Sequence, residues 1–337
     1  MNEPINGSTR DRVSTPSEES KNTEGAPGAS SANLAGAYET RKAGETRVNS
    51  PFRDAVRRYM TNWAAVFSLG LIIVLTIGAV FAPLLHTANP DTIDYNALSN
   101  GPSWGHWFGT DPSGRDEYSQ LMYGLRITFV ISYAGTIVTV ALGMSLGVVA
   151  GYYGGVVDAL TSRFTDFMFA FPAFLFAIIL VSLFGGAFDA WLPNGVGRAF
   201  ILVLVFGLVS WPSLMRFVRS LVLGMKESQF IEAARTSGTS NIRIMTRHLV
   251  PNLWGLVLVQ AAFVAAFIIA TEAVLSIIGL GVNEPVPDLG RLLYDTASYM
   301  DQSAWGIFFP SLFLTLIILA FTFIGDGIRD AVDPRSN

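Results

Sequence analysis

Six stretches of this chain are long and apolar enough to cross a lipid bilayer, and they limit its possible folds more than any other feature. They cover residues 63–85, 127–150, 164–184, 200–223, 253–280 and 306–324. The hydrocarbon core of a bilayer is about 30 Å thick, which about 20 helical residues span. Within lipid, a single segment satisfies its backbone groups only by helical hydrogen bonds. The sequence therefore predicts an all-α membrane protein with six transmembrane helices.

The amino-acid composition excludes several kinds of chemistry for this chain. The chain contains no cysteine, which excludes disulfides, thiolate catalysis and cysteine-ligated metals. It has only three lysines, and none stands in the GxxxxGK[ST] pattern that binds nucleotide phosphates. The chain therefore cannot hydrolyse nucleotide by that route, and we predict that it is not an enzyme and that it binds no cofactor and no metal. A weak alternative is a metal site in the loop after the first helix, with His86 and His106 beside Asp91 or Asp111.

Basic residues beside the predicted helices are divided unevenly between the two sides of the membrane. The side with both chain termini carries Arg53, Arg57, Arg58, Arg163, Arg216, Arg219, Lys226, Arg235, Arg243, Arg247, Arg329 and Arg335. The opposite side carries Arg115, Arg126, Arg198 and Arg291. Because cytoplasmic loops of membrane proteins carry an excess of lysine and arginine, we expect both termini in the cytoplasm. The chain itself is expected to be a multi-pass protein of a prokaryotic plasma membrane.

The predicted organisation has four parts. Residues 1–50 are rich in small and polar residues, cannot bury enough apolar surface to fold, and are expected to form a disordered cytoplasmic tail. Residues 51–125 hold the first helix and an outer loop. Residues 126–330 form the core with five helices, and residues 331–337 are the cytoplasmic C-terminus.

A polar, basic segment lies between the fourth and fifth apolar runs. It reads EAARTSGTSNIRIMTRHLVP over residues 232–251. The pattern predicts one short helix over 227–237, a break at Gly238, and a second helix over 241–249 that Pro251 closes. Glycine suits the left-handed conformation that ends a helix.

The second of these helices is predicted to be amphipathic. Ile242, Met245 and Leu249 are expected on one face, and Arg243 and Arg247 one turn apart on another. Two such helices between membrane spans would form a knob that projects into the cytoplasm. The small side chains of Ala233 and Ala234 at its start would let another protein approach the backbone closely.

The spacing Glu-Ala-Ala, three residues, Gly238 and twelve residues to Pro251 resembles the EAA loop of ATP-binding-cassette importer permeases. The resemblance extends over residues from about 50 to the end of the chain and is closest to the C-type membrane subunit of dipeptide and oligopeptide importers. Five further stretches carry it, namely GTDPSGRD (109–116), GYYGGVVD (151–158), EAVLSIIGLGV (272–282), VPDLGRLL (286–293) and GDGIRDAVDPR (325–335). The chain departs from the family pattern at His248, where isoleucine is usual, and at Leu289, where tryptophan is usual.

The resemblance implies a type I importer permease fold and a function in peptide uptake, with nickel or opine transport as alternatives within the family. It implies three kinds of partner: a second permease subunit that forms a heterodimer with this chain, two ATPase subunits that hold ATP and magnesium, and an extracytoplasmic peptide-binding protein. It implies no nucleic-acid partner. The residues expected to couple to the ATPase are Glu232, Ala233, Ala234, Gly238, Arg243, Arg247, His248 and Pro251.

Glu272 is the most informative charge within a predicted span, since an intramembrane carboxylate is costly and usually functional or paired. Ser276 lies one turn away and is expected to share its hydrogen bonds. A structural hydrogen bond, a place in the wall or gate of the pathway, and proton coupling all remain open. The last would suit a different class of protein, a stand-alone ion-coupled secondary transporter, although no inverted repeat is evident.

Two further patterns each leave two interpretations open. Asp111, Arg115 and Asp116 in the outer loop would form an ion-paired cap over the pathway or hold the loop together, and the second is favoured. The stripe of Gly143, Gly147 and Gly151 allows close approach of another helix, and packing within the chain is favoured over a subunit interface.

Overall fold

The computed structural model describes residues 51–283 and 286–333. The predicted tail at 1–50 and the last four residues of the predicted C-terminus lie outside this part of the chain. In the first half the helices are α1 (Pro51–Thr61), α2 (Trp63–Val80), α3 (Ala82–Leu85), α4 (Glu117–Tyr153), α5 (Gly155–Phe169) and α6 (Ala173–Trp191). In the second half they are α7 (Val196–Met225), α8 (Gln229–Thr236), α9 (Asn241–Ile244), a π-helical segment (Met245–Leu249), α10 (Val250–Ile277), α11 (Leu289–Ala297) and α12 (Trp305–Val332).

Six helical stretches of the described chain are long and apolar enough to cross a membrane, as predicted. They are Trp63–Val80, Glu117–Tyr153, Ala173–Trp191, Val196–Met225, Asn241–Ile277 and Trp305–Val332. The predicted all-α architecture with six spanning helices is therefore confirmed, and the protein is a multi-pass membrane protein. The end of the bundle with α1, α8, α9 and the C-terminal end of α12 is called the basic end. The opposite end, with segments 86–116 and 278–304, is called the long-loop end.

The boundaries of two predicted helices were wrong for identifiable reasons. The second helix begins at Glu117, ten residues before the predicted start at 127, because its first turns carry polar side chains that do not look like a membrane span. Those side chains are nevertheless buried, with Glu117 2% and Gln120 5% exposed. The third predicted span is divided at Pro172, which stands between α5 and α6 and has no backbone N–H for a continuous helix.

The first predicted span also ends early. Helix α2 stops at Val80, and Phe81 separates it from the short α3, which has a proline in its first turn. Proline is accepted there because the first N–H groups of a helix have no partner within it. The chain therefore changes direction just before the loop that follows.

The predicted glycine stripe on α4 takes part in close helix packing in the core. A Cβ atom on Gly143 would stand 2.8 Å from the Cβ of Leu214, and one on Gly147 would stand 2.8 Å from the Cβ of Val218. Gly151 has the same relation to Val222. Only glycine lets α7 lie this close to α4, so the prediction of packing within the chain is confirmed.

Helix α12 closes the other side of the bundle. A Cβ on Gly325 would stand 3.1 Å from Phe263 of α10, and a Cβ on Gly327 would stand 2.2 Å from the Cβ of Ala65 of α2. At the basic end, Arg58 of α1 donates to the backbone carbonyl of Asp333 at 3.1 Å. These contacts connect the first helices to the core.

Candidate coupling loop and buried acid pair

The segment 227–251, called the EAA loop, leaves the membrane bundle at its basic end. Its predicted break at Gly238 is present, with a φ of +74° in the left-handed region that glycine accepts. The N–H of Gly238 donates to the carbonyl of Arg235 at 3.0 Å, and that of Thr239 donates to the carbonyl of Ala234 at 3.0 Å. These two bonds satisfy carbonyls at the end of α8 and turn the chain toward α9.

One side of the EAA loop is fixed firmly to the spanning helices. Ile231, Ile244 and Leu249 are fully buried and pack in one apolar cluster with Val148 of α4 and Val218 of α7. Each buried aliphatic side chain stabilises the contact by about 1.5–3 kcal/mol. The EAA loop is therefore packed directly against α4, α7 and α10.

Polar contacts reinforce this anchor around Tyr152, near the end of α4. The hydroxyl of Tyr152 donates to the Oδ1 of Asn241 at 2.8 Å. The guanidinium of Arg235 lies over the same ring, 5.2 Å from its centroid, in a cation–π contact. Tyr152 thus contacts both helices of the loop, one on each side of Gly238.

The other side of the loop faces outward. Of the eight predicted coupling residues, the exposed ones are Glu232, Ala233, Gly238, Arg243, Arg247 and Pro251, and the partly buried ones are Ala234 and His248. Ile242 is 69% exposed whereas Met245 and Leu249 are buried, so the predicted apolar face of these three residues was wrong at Ile242. Ile244 is buried in its place, and it lies five residues before Leu249, which is the spacing of a π-helical turn.

Pro251 does not close the loop as predicted, because the helix runs through it into α10. In the π segment, the N–H of Val250 donates to the carbonyl of Met245, five residues back. Pro251 lacks an N–H and cannot complete the α-helical pattern, which favours this local widening. The side-chain amide of Asn252 then donates to the carbonyl of His248 at 2.6 Å.

An ion pair at the basic end was not found from the sequence. Arg219 of α7 donates through Nη2 to the Oδ2 of Asp158 of α5 at 2.6 Å, and its Nε donates to the Oδ1. These hydrogen bonds from the Arg219 guanidinium hold the pKa of Asp158 below its usual value. The pair fixes the start of α5, just after Gly154 and Gly155, both of which have positive φ.

Glu272 lies near the other end of α10 and is fully buried. Its Oε1 accepts from the hydroxyl of Ser276 at 3.3 Å, and its Oε2 accepts from Thr128 of α4 at 3.5 Å. Its carboxyl group is a neighbour of that of Asp288. Ser276, the other predicted pathway residue, borders a cavity of about 220 Å³ at the long-loop end.

Asp288 is the partner of Glu272 that sequence reasoning missed. It caps α11 by accepting from the N–H of Arg291 at 2.8 Å, and its Oδ2 accepts from the N–H of Val282 at 3.3 Å. Burial raises the pKa of its carboxyl group, although these N–H donors oppose the rise. The aspartate two residues before Gly290 was a visible signal of a helix cap, but not of a contact with α10.

The segment that carries Asp288 is wedged between two spanning helices. A Cβ on Gly290 would stand 2.6 Å from the carbonyl of Ala273 of α10. A Cβ on Gly124 of α4 would stand 3.3 Å from the backbone of Asp288. The start of α11 therefore fits because Gly290 of α11 and Gly124 of α4 have no side chains, and this places Asp288 beside Glu272.

The predicted outer-loop residues make contacts within their own loop. Asp116 caps α4, since its Oδ2 accepts from the N–H of Ser119 at 2.9 Å and from the hydroxyl of Thr87 at 2.6 Å. Asp111 accepts from the backbone N–H of Arg115 at 2.8 Å, and burial raises the pKa of its carboxyl group. Both aspartates thus order segment 86–116.

The weak metal alternative does not match the geometry. The Nδ1 of His106 lies 2.8 Å from the Oδ1 of Asp116, and its Nε2 lies 3.8 Å from Asp94, so neither Asp91 nor Asp111 is its partner. Within residues 51–283 and 286–333, no group of three or more histidines and carboxylates could hold a metal ion.

The bundle and its loop define a class of protein: a multi-pass membrane protein with a polar loop exposed at one end. A family profile described as "Binding-protein-dependent transport system inner membrane component" matches residues 143–337. A second, described as "N-terminal TM domain of oligopeptide transport permease C", matches residues 50–102. The chain belongs to the family of inner-membrane components of binding-protein-dependent transport systems, which confirms the resemblance to importer permeases.

Relatives of known name cover most of the chain. The oligopeptide transport system permease protein OppC of Haemophilus influenzae is 38% identical over 288 residues, 85% of this chain and 89% of the relative. The dipeptide permease DppC of Alkalihalophilus pseudofirmus is 36% identical over 286 residues, 85% of this chain and 90% of the relative. OppC of Escherichia coli K12 is 38% identical over 293 residues, which are 86% of this chain and 93% of the relative.

Among solved structures, the methionine ABC transporter MetNI in an inward-facing conformation is similar to this chain. The TM-score is 0.48 and the sequence identity 19%, over 62% of this chain and 94% of that chain.

Proposed function

We propose that this chain is a permease subunit of an ATP-driven importer that moves dipeptides or oligopeptides across a prokaryotic plasma membrane. Relatives at 36–38% identity that carry oligopeptide and dipeptide permease names support peptides as the solute. Nickel or opine uptake by the same kind of machine is the alternative within the family.

The observation that carries the coupling proposal is the two-sided EAA loop. One face is exposed and carries Glu232, Ala233 and Arg243, while Ile231 and Ile244 on the other face are fully buried against spanning helices. A partner that grips the exposed face therefore moves the helices of the pathway. The eight coupling residues predicted from the sequence form the proposed contact, with His248 and Ala234 at its inner edge.

The proposed assembly contains this chain, a second permease subunit around a common pathway, two ATPase subunits and an extracytoplasmic peptide-binding protein. ATP and magnesium are held by the ATPases, and this chain binds no cofactor, metal or nucleic acid. The basic end faces the cytoplasm, because its excess of arginine follows the inside-positive bias. The outer loop with Asp111, Arg115 and Asp116 then faces the binding protein.

In the proposed mechanism, ATP binding brings the two ATPases together and draws the EAA loops of both permeases with them. The anchored face transfers this motion to α7 and α10 and changes which side of the membrane the pathway opens to. Moving such an equilibrium from 1:99 to 99:1 takes about 5.5 kcal/mol of differential binding. An exposed ion pair gives only about 0–1 kcal/mol, so a contact over several loop residues is required.

A stand-alone, ion-coupled transporter is less consistent with the geometry. Its best feature is Glu272, but that residue is 0% exposed, and its carboxyl group accepts hydrogen bonds from Thr128 and Ser276 beside the buried Asp288. A coupling carboxyl group needs water access in at least one state, and here α4, α10 and the α11 segment enclose it. We therefore infer that Glu272 stabilises the fold.

Purification from native membranes by a tag on this chain tests the proposal. ATPase subunits should co-purify, and proteoliposomes containing the complex and its binding protein should take up a labelled dipeptide only with ATP. Ala233→Arg, at an exposed loop position, should weaken ATPase retention about tenfold, equal to 1.4 kcal/mol of docking energy. Ser220→Arg, exposed on α7 outside the loop, is the matched control. Uptake by the chain without any ATPase would refute the proposal.

A further inference from the structure

A crevice separates α7 from α10 over part of their length. One face of α10 lines it with Gln260, Phe263 and Phe267, which are spaced as neighbours on one side of a helix. The facing side of α7 contributes Ser210 and Ser213. The crevice is thus formed by two helices whose relative position the EAA loop is proposed to control.

The crevice consists of two adjoining cavities. One, of about 410 Å³, lies at mid-span beside the α5–α6 break and is bordered by Phe171 and Phe263. The other, of about 270 Å³, lies toward the basic end, is again bordered by Phe263, and reaches Arg329. The residues of α10 that line the two cavities together run from Leu256 to Phe267, a length of about 16 Å at 1.5 Å per residue. The larger volume falls within the range of about 300–1,000 Å³ typical of small-ligand sites.

Ser210, on the wall of this crevice, has a hydroxyl group without a partner. The residue is only 8% exposed, its hydroxyl oxygen is buried, and no described residue forms a hydrogen bond with it. Thr136 and Thr139 of α4 also lack a partner, whereas Thr271 donates to the carbonyl of Phe267 at 2.7 Å. An unpaired buried hydroxyl is unfavourable, and such groups in native proteins call for an explanation.

The surroundings of Ser210 combine hydrogen-bonding groups with aromatic surface. Pro212, two residues on, has no N–H, so the carbonyl of Leu208 loses its α-helical donor. Across the cavity, the rings of Phe171 and Phe176 stack with centroids 5.6 Å apart. A molecule with a polar backbone and apolar side chains matches both kinds of surface.

The larger groove on the opposite side of α10 has a different character. Its volume is about 650 Å³, and its walls are mostly aliphatic, with Val140, Met144 and Leu258 among them. The unpaired hydroxyl on its wall belongs to Thr136, which is only half-buried. This surface suits a lipid chain or another helix better than a hydrated solute.

We propose that the crevice between α7 and α10 is a peptide-contact site within the membrane. Ser210 hydrogen-bonds to an amide of the passing peptide, and Phe171, Phe263 and Phe267 contact its apolar side chains. This proposal rests on the proposed function and deepens it, because it names where this subunit contacts the solute. It also predicts that this subunit contributes to solute preference and does not leave selection to the binding protein alone.

The first test replaces the hydroxyl. In proteoliposomes with the full complex, Ser210→Ala should raise the KM for uptake of a Phe-containing dipeptide by about 2- to 10-fold, and Ser210→Thr should restore it. Phe263→Ala should reduce uptake of that dipeptide more than uptake of Gly-Gly. If Ser210 were only structural, Ser210→Ala would lower the amount of assembled complex and leave the KM for uptake unchanged.

The second test uses the absence of cysteine from the chain. Ser213→Cys, exposed in the crevice, should react with a small methanethiosulfonate reagent, and a transported dipeptide supplied with ATP should slow the reaction. The control is Ser145→Cys, exposed on the other groove, whose labelling should not respond to the peptide. Mass measurement of this chain separates its label from that on partner subunits.

The outcomes are distinguishable. If the wild-type complex takes up dipeptides but Ser210→Ala keeps its KM and peptide does not protect Ser213→Cys, the crevice proposal is overturned and the proposed function stands. If the wild-type complex takes up no peptide, the proposed function fails and the peptide-contact site fails with it.

Discussion

The carboxyl groups of Glu272 on α10 and Asp288 at the cap of α11 are neighbours, and both residues are fully buried. Two neighbouring carboxyl groups that are buried away from water are too costly to be ionised together. The pair is therefore expected to hold one shared proton and to fix the α11 segment between α4 and α10.

This relationship predicts that Glu272→Gln is well tolerated and Glu272→Ala is not. The glutamine amide still donates to Asp288, whereas alanine leaves a buried carboxyl group without its partner, at a cost of about 1–3 kcal/mol. Thermal unfolding of the purified complex should show a lower midpoint for the alanine variant. A shifted pH dependence of uptake in Glu272→Gln would contradict the structural assignment and support proton coupling.

The glycine stripe predicts that Gly147→Ala destabilises the bundle. The added Cβ would stand 2.8 Å from the carbonyl of Met215 and 2.8 Å from the Cβ of Val218, so α7 has to move away. Overpacking of this kind costs about 1–3 kcal/mol. Gly70→Ala is the matched control, because nothing lies within 4 Å of its new Cβ on α2. Equal unfolding midpoints for the two variants would show that α4 and α7 tolerate the extra volume.

The turn of the EAA loop predicts that Gly238→Val uncouples ATP hydrolysis from uptake. No atom lies within 4 Å of a Cβ at this position, so any effect comes from the backbone φ of +74°, which costs a β-branched residue about 1–2 kcal/mol. The loop should change shape while the bundle stays folded. Gly238→Asn, which accepts this conformation more easily, should retain most of the uptake per ATP hydrolysed. Normal uptake by Gly238→Val would count against the coupling role.

The ion pair at the start of α5 predicts an effect of acid pH. Because Arg219 lowers the pKa of Asp158, the pair stabilises the fold at pH values above the ordinary aspartate pKa of 3.8, and this contribution is lost as the pH falls through the lower folded-state pKa. Asp158→Asn should therefore lower the free energy of unfolding by about 1 kcal/mol at pH 7, with a smaller difference from the wild type below pH 4.

Asp166→Asn provides the control for this measurement. Its partner Arg216 is 48% exposed and Asp166 itself 62% exposed, so solvent screens the pair and the substitution should change stability less. An Asp158→Asn effect that stays constant from pH 7 to below 4 would exclude the ionised pair as its cause.

The sequence was sufficient for features that depend on local pattern. The spans follow from apolar runs, and the break at Gly238 follows from the rarity of positive φ in other residues. Burial of the polar start of α4 was not predictable, because Glu117 and Gln120 have the composition of a loop and are covered only by elements distant in sequence. The contact between Glu272 and Asp288 was missed for the same reason: it depends on how the α11 segment folds back.

The inner face of the EAA loop shows a second limit. An ideal helix places Ile242 with Met245 and Leu249, but the π segment alters the register, and Ile242 is 69% exposed. Pro251 was visible in the sequence. Its effect, a wider helical turn and not the end of the helix, depends on the packing of α10 against its neighbours.

Because the helix passes through Pro251 without a break, Asn241–Ile277 is one rod of 37 residues, about 55 Å long. A rod of that length pivoting near one end multiplies displacement, and a tilt of about 5° moves its far tip by about 5 Å. Near its far tip, Ala273 packs against Gly290 of α11, where a Cβ would already collide with it. A small rotation imposed at the basic end would therefore displace the α11 segment at the long-loop end directly.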